Sequence, residues 1–178
     1  MHHPAGDLMI CMPQSKRESI NTVSQTSGPV QITVFLAGIM QGSIVESKIH
    51  SQEWRKPLRG VLERYLPNCR IYCHYSNHPN SVNYDGNDVR TTLEQGVARA
   101  ASSDVVIAFL PSASMGTAIE MYEAHRGGAV VLTISPMQTN WVVRAYSDRV
   151  FADMDELEAF LVGGGLDELI RTKKGLSP

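Results

Sequence analysis

Apolar residues along the chain fall into short continuous runs separated by stretches with three-and-four spacing. The runs are Gln31 to Ala37 (QITVFLA, ended by Gly38), Arg70 to Tyr75, Val105 to Leu110, Ala129 to Ile134 (AVVLTI) and Asp148 to Ala152. Runs this short, rich in β-branched and aromatic residues and bounded by turn residues, predict buried strands. Helices are predicted between them. The first carries the stripe Trp54, Leu58, Val61, Leu62, Tyr65 and starts or kinks at Pro57. A second runs from Asp88, as N-cap, to Ser102 and buries Val89, Leu93, Val97 and Ala100 or Ala101. A third opens at the Gly116-Thr117 step and stops at Gly127-Gly128. Asn140 to Tyr146 and Asp153 to Val162 read as shorter helices, the latter with Leu157, Phe160 and Leu161 inward, and Ser76 to Gly86 reads as a polar loop.

Strands alternating with helices of this length are the mark of right-handed βαβ units. The expected fold class is α/β: three layers, a five-stranded parallel sheet with helices on both faces, of flavodoxin or Rossmann type. Residues 1–29, rich in Ser, Thr, Gln and Pro, read as a flexible arm. Residues 30–165 form the domain and 166–178 a terminal helix or tail.

Composition narrows the function classes. A net charge of −2 and a pI near 6.3 offer no basic surface, so neither nucleic acid nor membrane is expected as a partner. Three cysteines without framework spacing fit a reducing cytoplasm. Leu8 to Met12 is too short for the core of a signal peptide, and no apolar stretch approaches a membrane span. Cys69, Cys73, His74 and His78 match no zinc spacing, and on a strand Cys73 and His74 would point to opposite faces, so no metal is expected. No cofactor is expected either. Tyr72, Tyr75, Tyr84, Trp54 and Trp141 could stack on a base, yet read first as packing residues.

Candidate chemistry gathers after the third run. Pro111, Ser112, Ala113, Ser114, Met115, Gly116 and Thr117 lead into a helix that carries Glu120. A strand, a small-residue loop and a helix N-terminus make an anion site common in α/β proteins. The loop after the first run, Gly38 to Ser43 with Gln41 and Gly42, is a second cradle. Both loops are expected at the carboxyl end of the sheet. Glu120 reads as the reacting carboxylate, favoured in its charged form by the helix dipole. The competing reading is a capping box, Thr117-x-x-Glu120, in which the glutamate merely reaches back to a backbone amide. Ser112 and Ser114 could be turn residues, Asp88 a plain cap, Glu94 a solvated-face residue, and Asp104 a ligand contact or, more simply, a cap.

Three segments carry a resemblance: VFLAG at 34–38, SDVVIAFLP at 103–111 and SMGTAIEMYEA at 114–124. Together they are similar to the nucleoside 2-deoxyribosyltransferase superfamily over residues 31–162. The resemblance implies that Glu120 attacks the anomeric carbon of a nucleoside. The transferases place an aspartate six residues before that glutamate. Ser114 stands there instead, which is similar to the 2′-deoxynucleoside 5′-phosphate N-hydrolases and cytidylate N-glycosidases. Those enzymes bind a 5′-phosphate with hydroxyl residues and loop amides, here Ser43, Ser112, Ser114 and the amides of Met115 and Gly116. A basic residue is common in their first loop where this chain has Gln41. Glu94 and Asp88 are both candidates for the family's second acid. The family is commonly dimeric, with a neighbouring subunit closing the pocket, so a homodimer or higher homo-oligomer is expected. The expected activity is N-glycosidic bond cleavage or transfer on (deoxy)nucleosides or their 5′-monophosphates, through a glycosyl-enzyme. Two alternatives stand beside it: a nucleotide-binding module without turnover, and a phosphoribohydrolase of the cytokinin-activating type. The latter shares the Gly-Thr-x-x-Glu block, but its longer glycine-rich lead with an upstream arginine is absent here.

Overall fold

The computed structural model describes residues 31–175. The expected arm at 1–29 lies outside the described residues. Five strands form one sheet, all parallel: β1 (Thr33–Gly38), β2 (Arg70–Cys73), β3 (Val105–Phe109), β4 (Val130–Ile134) and β5 (Arg149–Phe151), in the order β2-β1-β3-β4-β5. The helices are α1 (Arg55–Tyr65), α2 (His74–Asn77), α3 (Gly86–Ser102), α4 (Met115–Arg126), α5 (Trp141–Tyr146), α6 (Met154–Val162) and α7 (Gly165–Lys173), with a 3-10 turn at Ser81–Asn83.

Alternation along each strand divides the core into two halves. Val34, Leu36, Val105, Ile107, Val130 and Leu132 face Leu58, Leu62, Leu157, Leu161 and Leu166, from α1, α6 and α7. Phe35, Ala37, Val106, Ala108 and Val131 face Ala100, Met121, Ala124 and Val143, from α3, α4 and α5. Fully buried side chains such as Phe35, Leu36, Ile107 and Leu132 contribute roughly 1.5–3 kcal/mol each. The chain order reverses between β1 and β3, so a crevice opens beyond the carboxyl ends of these two strands.

Several local expectations need correction. Pro57 neither starts nor kinks α1; it sits in the first turn, where a missing N–H breaks no bond. β2 stops at Cys73 and His74 opens α2, so these neighbours do not alternate along a strand, and the expected loop at 76–86 contains the end of α2 and the 3-10 turn. Asp85, not Asp88, is the N-cap residue of α3, and Asp88 is exposed in its first turn. Val89 and Leu93 are 48% and 41% exposed instead of buried. They share a stripe with buried Gly96 and Ala100 at spacings of four and three, but they lie beyond the part of α3 that the core covers, and Leu93 lines a cavity instead. Asp104 binds no ligand in the crevice: at the opposite end of the sheet its Oδ2 accepts from Thr33 N (2.9 Å) and Thr33 Oγ1 (2.8 Å), while Oδ1 pairs with Lys174 Nζ (2.8 Å).

Candidate functional site

The crevice is built by close approach of backbone. A Cβ on Gly38 would lie 2.5 Å from the Trp54 indole, which itself stacks on Phe109 with centroids 4.6 Å apart. Ile39 N donates to Phe109 O across the gap (3.2 Å). Gly42 adopts φ +58°, a left-handed conformation that a side chain disfavours, and turns the first loop over the strand ends. On the other side Ser114 caps α4: its Oγ accepts from Thr117 N (3.4 Å) and Thr117 Oγ1 (3.1 Å). Thr117 is therefore third in the helix rather than its cap, and Glu120, sixth, is not in a capping box.

Glu120 is buried at 8% exposure and lines a cavity of about 230 Å³ together with Gly38, Met40, Gln41, Gly42, His74, Leu93, Ser114, Met115, Gly116 and Thr117. Beside it, sharing Gly42, Ser114 and Met115 as walls, lies an apolar cavity of about 300 Å³ bounded also by Ser43, Leu110, Ala118, Met137 and Val143. Of the residues expected at the site, Gly38, Gln41, Gly42, Ser114, Met115, Gly116, Thr117 and Glu120 line the first cavity and Ser43 the second. Ser112 lines neither, and Glu94 and Asp88 are exposed on α3 away from both. Among the described residues no Lys or Arg lines either cavity.

The electrostatics reverse one expectation. Burial pushes the Glu120 carboxyl up to about 8, against the pull of the Arg55 guanidinium. The helix dipole does not offset this, because its influence fades within the first turn and Glu120 lies beyond it. His74 is held down to about 4 by burial, with His78 and Arg55 acting in the same direction, so the ring is neutral at pH 7. Its Nδ1 is buried without a hydrogen-bond partner. Gly96 explains how these groups meet: a Cβ there would lie 3.1 Å from His74 Nδ1 and 3.5 Å from Glu120 Oε1. A glycine at this point lets α3 close over both. Among the described residues no cluster of three or more His, Cys, Asp or Glu is placed to hold a metal, and no helix is long and apolar enough to cross a membrane.

Sequence reasoning missed His74 as part of the cavity wall and Arg55 as a buried cation that acts on Glu120. A signal existed for each. His74 is the first residue after β2, whose carboxyl end borders the same crevice. Arg55 precedes Leu58 and Leu62 by three and seven, a charged residue on the buried stripe of α1.

Neither a family model nor a curated protein matches the chain. Solved structures do. A 2-deoxyribosyltransferase from Bacillus psychrosaccharolyticus superposes with a TM-score of 0.53 at 16% identity, over 72% of this chain and 95% of that one. A conserved protein from Enterococcus faecalis V583 gives 0.52 at 14%, over 75% and 99%. A CMP N-glycosidase, BcmB, from Clostridium botulinum gives 0.44 at 21%, over 73% and 98%. The superposition shows a shared fold: this protein has the fold of the Bacillus psychrosaccharolyticus 2-deoxyribosyltransferase.

Proposed function

We propose that the protein cleaves or exchanges the N-glycosidic bond of (deoxy)nucleosides, with Glu120 as nucleophile. The observation that carries this reading is a buried carboxylate, tied to no backbone amide, in the wall of a cavity at the switch point of a parallel sheet. Ionised Glu120 attacks the anomeric carbon, the C–N bond breaks, and the electron pair leaves with the base. Water or a second base then attacks that carbon, and the carboxylate is released. Neutral His74 offers the departing base a hydrogen bond but no proton, so protonation falls to solvent. With the carboxyl near 8, about a tenth of the free protein is in the reactive form at pH 7.

The neighbouring apolar cavity suits a flat base or another uncharged group. Among the described residues a 5′-phosphate finds no cation in either lining. This favours the nucleoside over its 5′-monophosphate. A homodimer fits the exposed apolar stripe Met115, Ile119 and Tyr122 on α4, next to Leu93 on α3.

One observation favours a second reading, a nucleoside-binding module without turnover: among the described residues no second carboxylate lines the cavity beside Glu120. Incubation with deoxynucleosides and their monophosphates, with and without a free base, separates the two. Release or exchange of base by wild type, lost in Glu120→Ala, supports the enzyme. Binding without release by wild type supports the module, and equal turnover by Glu120→Ala removes Glu120 as nucleophile.

A further inference from the structure

A further cavity, of about 300 Å³, lies at the amino end of the sheet, opposite the end that holds Glu120. The first residues of β1 and β2 and the last turn of α3 wall it, among them Thr33, Arg70, Tyr72, Arg99, Ser102 and Ser103. Its two cations are placed there by the fold. Side chains alternate along a strand, so Arg70 leaves β2 on the same face as Tyr72. Tyr72 stacks on Phe35 with centroids 5.4 Å apart, on the face of the sheet that α3 covers. The end of α3 then lays Arg99 over the same ring, its guanidinium 4.6 Å from the centroid. That contact restrains a side chain which would otherwise move freely.

Two arginines thus share one wall in a chain whose net charge is −2. Among the described residues neither pairs with a carboxylate, and no Asp or Glu lines the cavity. Asp104, bonded to Thr33 at the margin, is matched by Lys174 Nζ at 2.8 Å. The carbonyls that end α3 would repel an anion, but they are engaged. Arg99 O accepts from Ser102 Oγ (3.2 Å) and Ser103 Oγ (2.8 Å), and Ala100 O accepts from Ser103 N (3.3 Å). Like charges held side by side repel one another, and arginine does not escape by losing its proton. A dianion with several oxygens relieves both at once. Phosphate is that group, since each guanidinium can grip two of its oxygens. A single carboxylate answers only one of the two charges.

We propose that this cavity is an anion site that binds a phosphate dianion, free or carried by a small monoester, between Arg70 and Arg99. It shares no lining residue with the Glu120 cavity or its apolar neighbour, so its occupant does not compete with a nucleoside. The proposal stands whether or not Glu120 is a nucleophile.

The test is ³¹P NMR titration of the full-length protein in a phosphate-free buffer of low ionic strength, with inorganic phosphate and with glycerol phosphate as probes. Saturable one-to-one binding of at least one probe is expected. Arg70→Gln and Arg99→Gln should each weaken it about tenfold or more, and Glu120→Gln should bind as wild type does. Both arginines are exposed, so these variants are expected to fold. Tighter binding of glycerol phosphate would identify an esterified ligand, and equal binding the free ion; either result supports the site. No saturable binding of either probe overturns the proposal. Affinity unchanged in either arginine variant, or lost in Glu120→Gln, overturns it equally.

Discussion

At the scale of single residues, Glu120 and His74 pull stability in opposite directions with pH. Glu120 titrates near 4.5 when unfolded and near 8 when folded. Between those values the unfolded chain gives up its proton first, so stability falls as pH rises through that window. His74 titrates near 6.5 unfolded and near 4 folded. There the unfolded chain takes up a proton the folded one refuses, so stability falls as pH drops through 6.5 towards 4. From 4.5 to 6.5 the two slopes offset each other. Denaturation of Glu120→Gln at a series of pH values is therefore expected to show the acid loss due to His74, and His74→Gln the alkaline loss due to Glu120. At pH 7, Glu120→Gln should be more stable than wild type by roughly 3 kcal/mol. Activity follows the same group: kcat/KM for a deoxynucleoside is expected to rise with pH through about 8 and level off above it, as a nucleophile that must be ionised requires. A profile falling through that region would make Glu120 an acid instead.

At the scale of elements, the strands were legible because each is a compact β-branched run closed by turn residues. α2 was not, because four helical residues follow β2 without a break and are too few for a helical period to show. The stripe of α3 was legible in its spacing but not in its surroundings. Ala100 packs in the core and Gly96 against His74, while Val89 and Leu93, on the same line, are exposed and Leu93 becomes cavity wall. Glycine in the middle of α3 is the least helical choice by about 1 kcal/mol relative to alanine, and a Cβ there would crowd the His74 ring at 3.1 Å. Gly96→Ala is accordingly expected to fold with undiminished helicity by circular dichroism, yet to lower turnover several-fold as the His74 ring is shifted against the cavity. Retained activity would show that the cavity tolerates the shift.

At the scale of the whole molecule, the sheet order brings the loops after β1 and β3 to one crevice, and that convergence could be anticipated from the alternation of elements alone. Which polar residues would share the crevice could not. Glu94 and Asp88 carry the right chemistry but ride on the outer surface of α3, whereas His74 enters the cavity wall from α2, a helix too short for a period to show. The α4 stripe belongs to the same scale. Met115 is 80% exposed, Ile119 43% and Tyr122 39%, and a second copy laid over this stripe would cover the rim of the cavity. Sedimentation of Ile119→Glu, which lines neither cavity, is expected to give a monomer where wild type gives a dimer. The covalent role of Glu120 is tested most directly by quenching the protein during turnover of a deoxynucleoside and mapping its peptides by mass. The peptide containing Glu120 should carry one deoxyribosyl group. Base release with that peptide unmodified, and with undiminished rate in Glu120→Ala, would contradict the account.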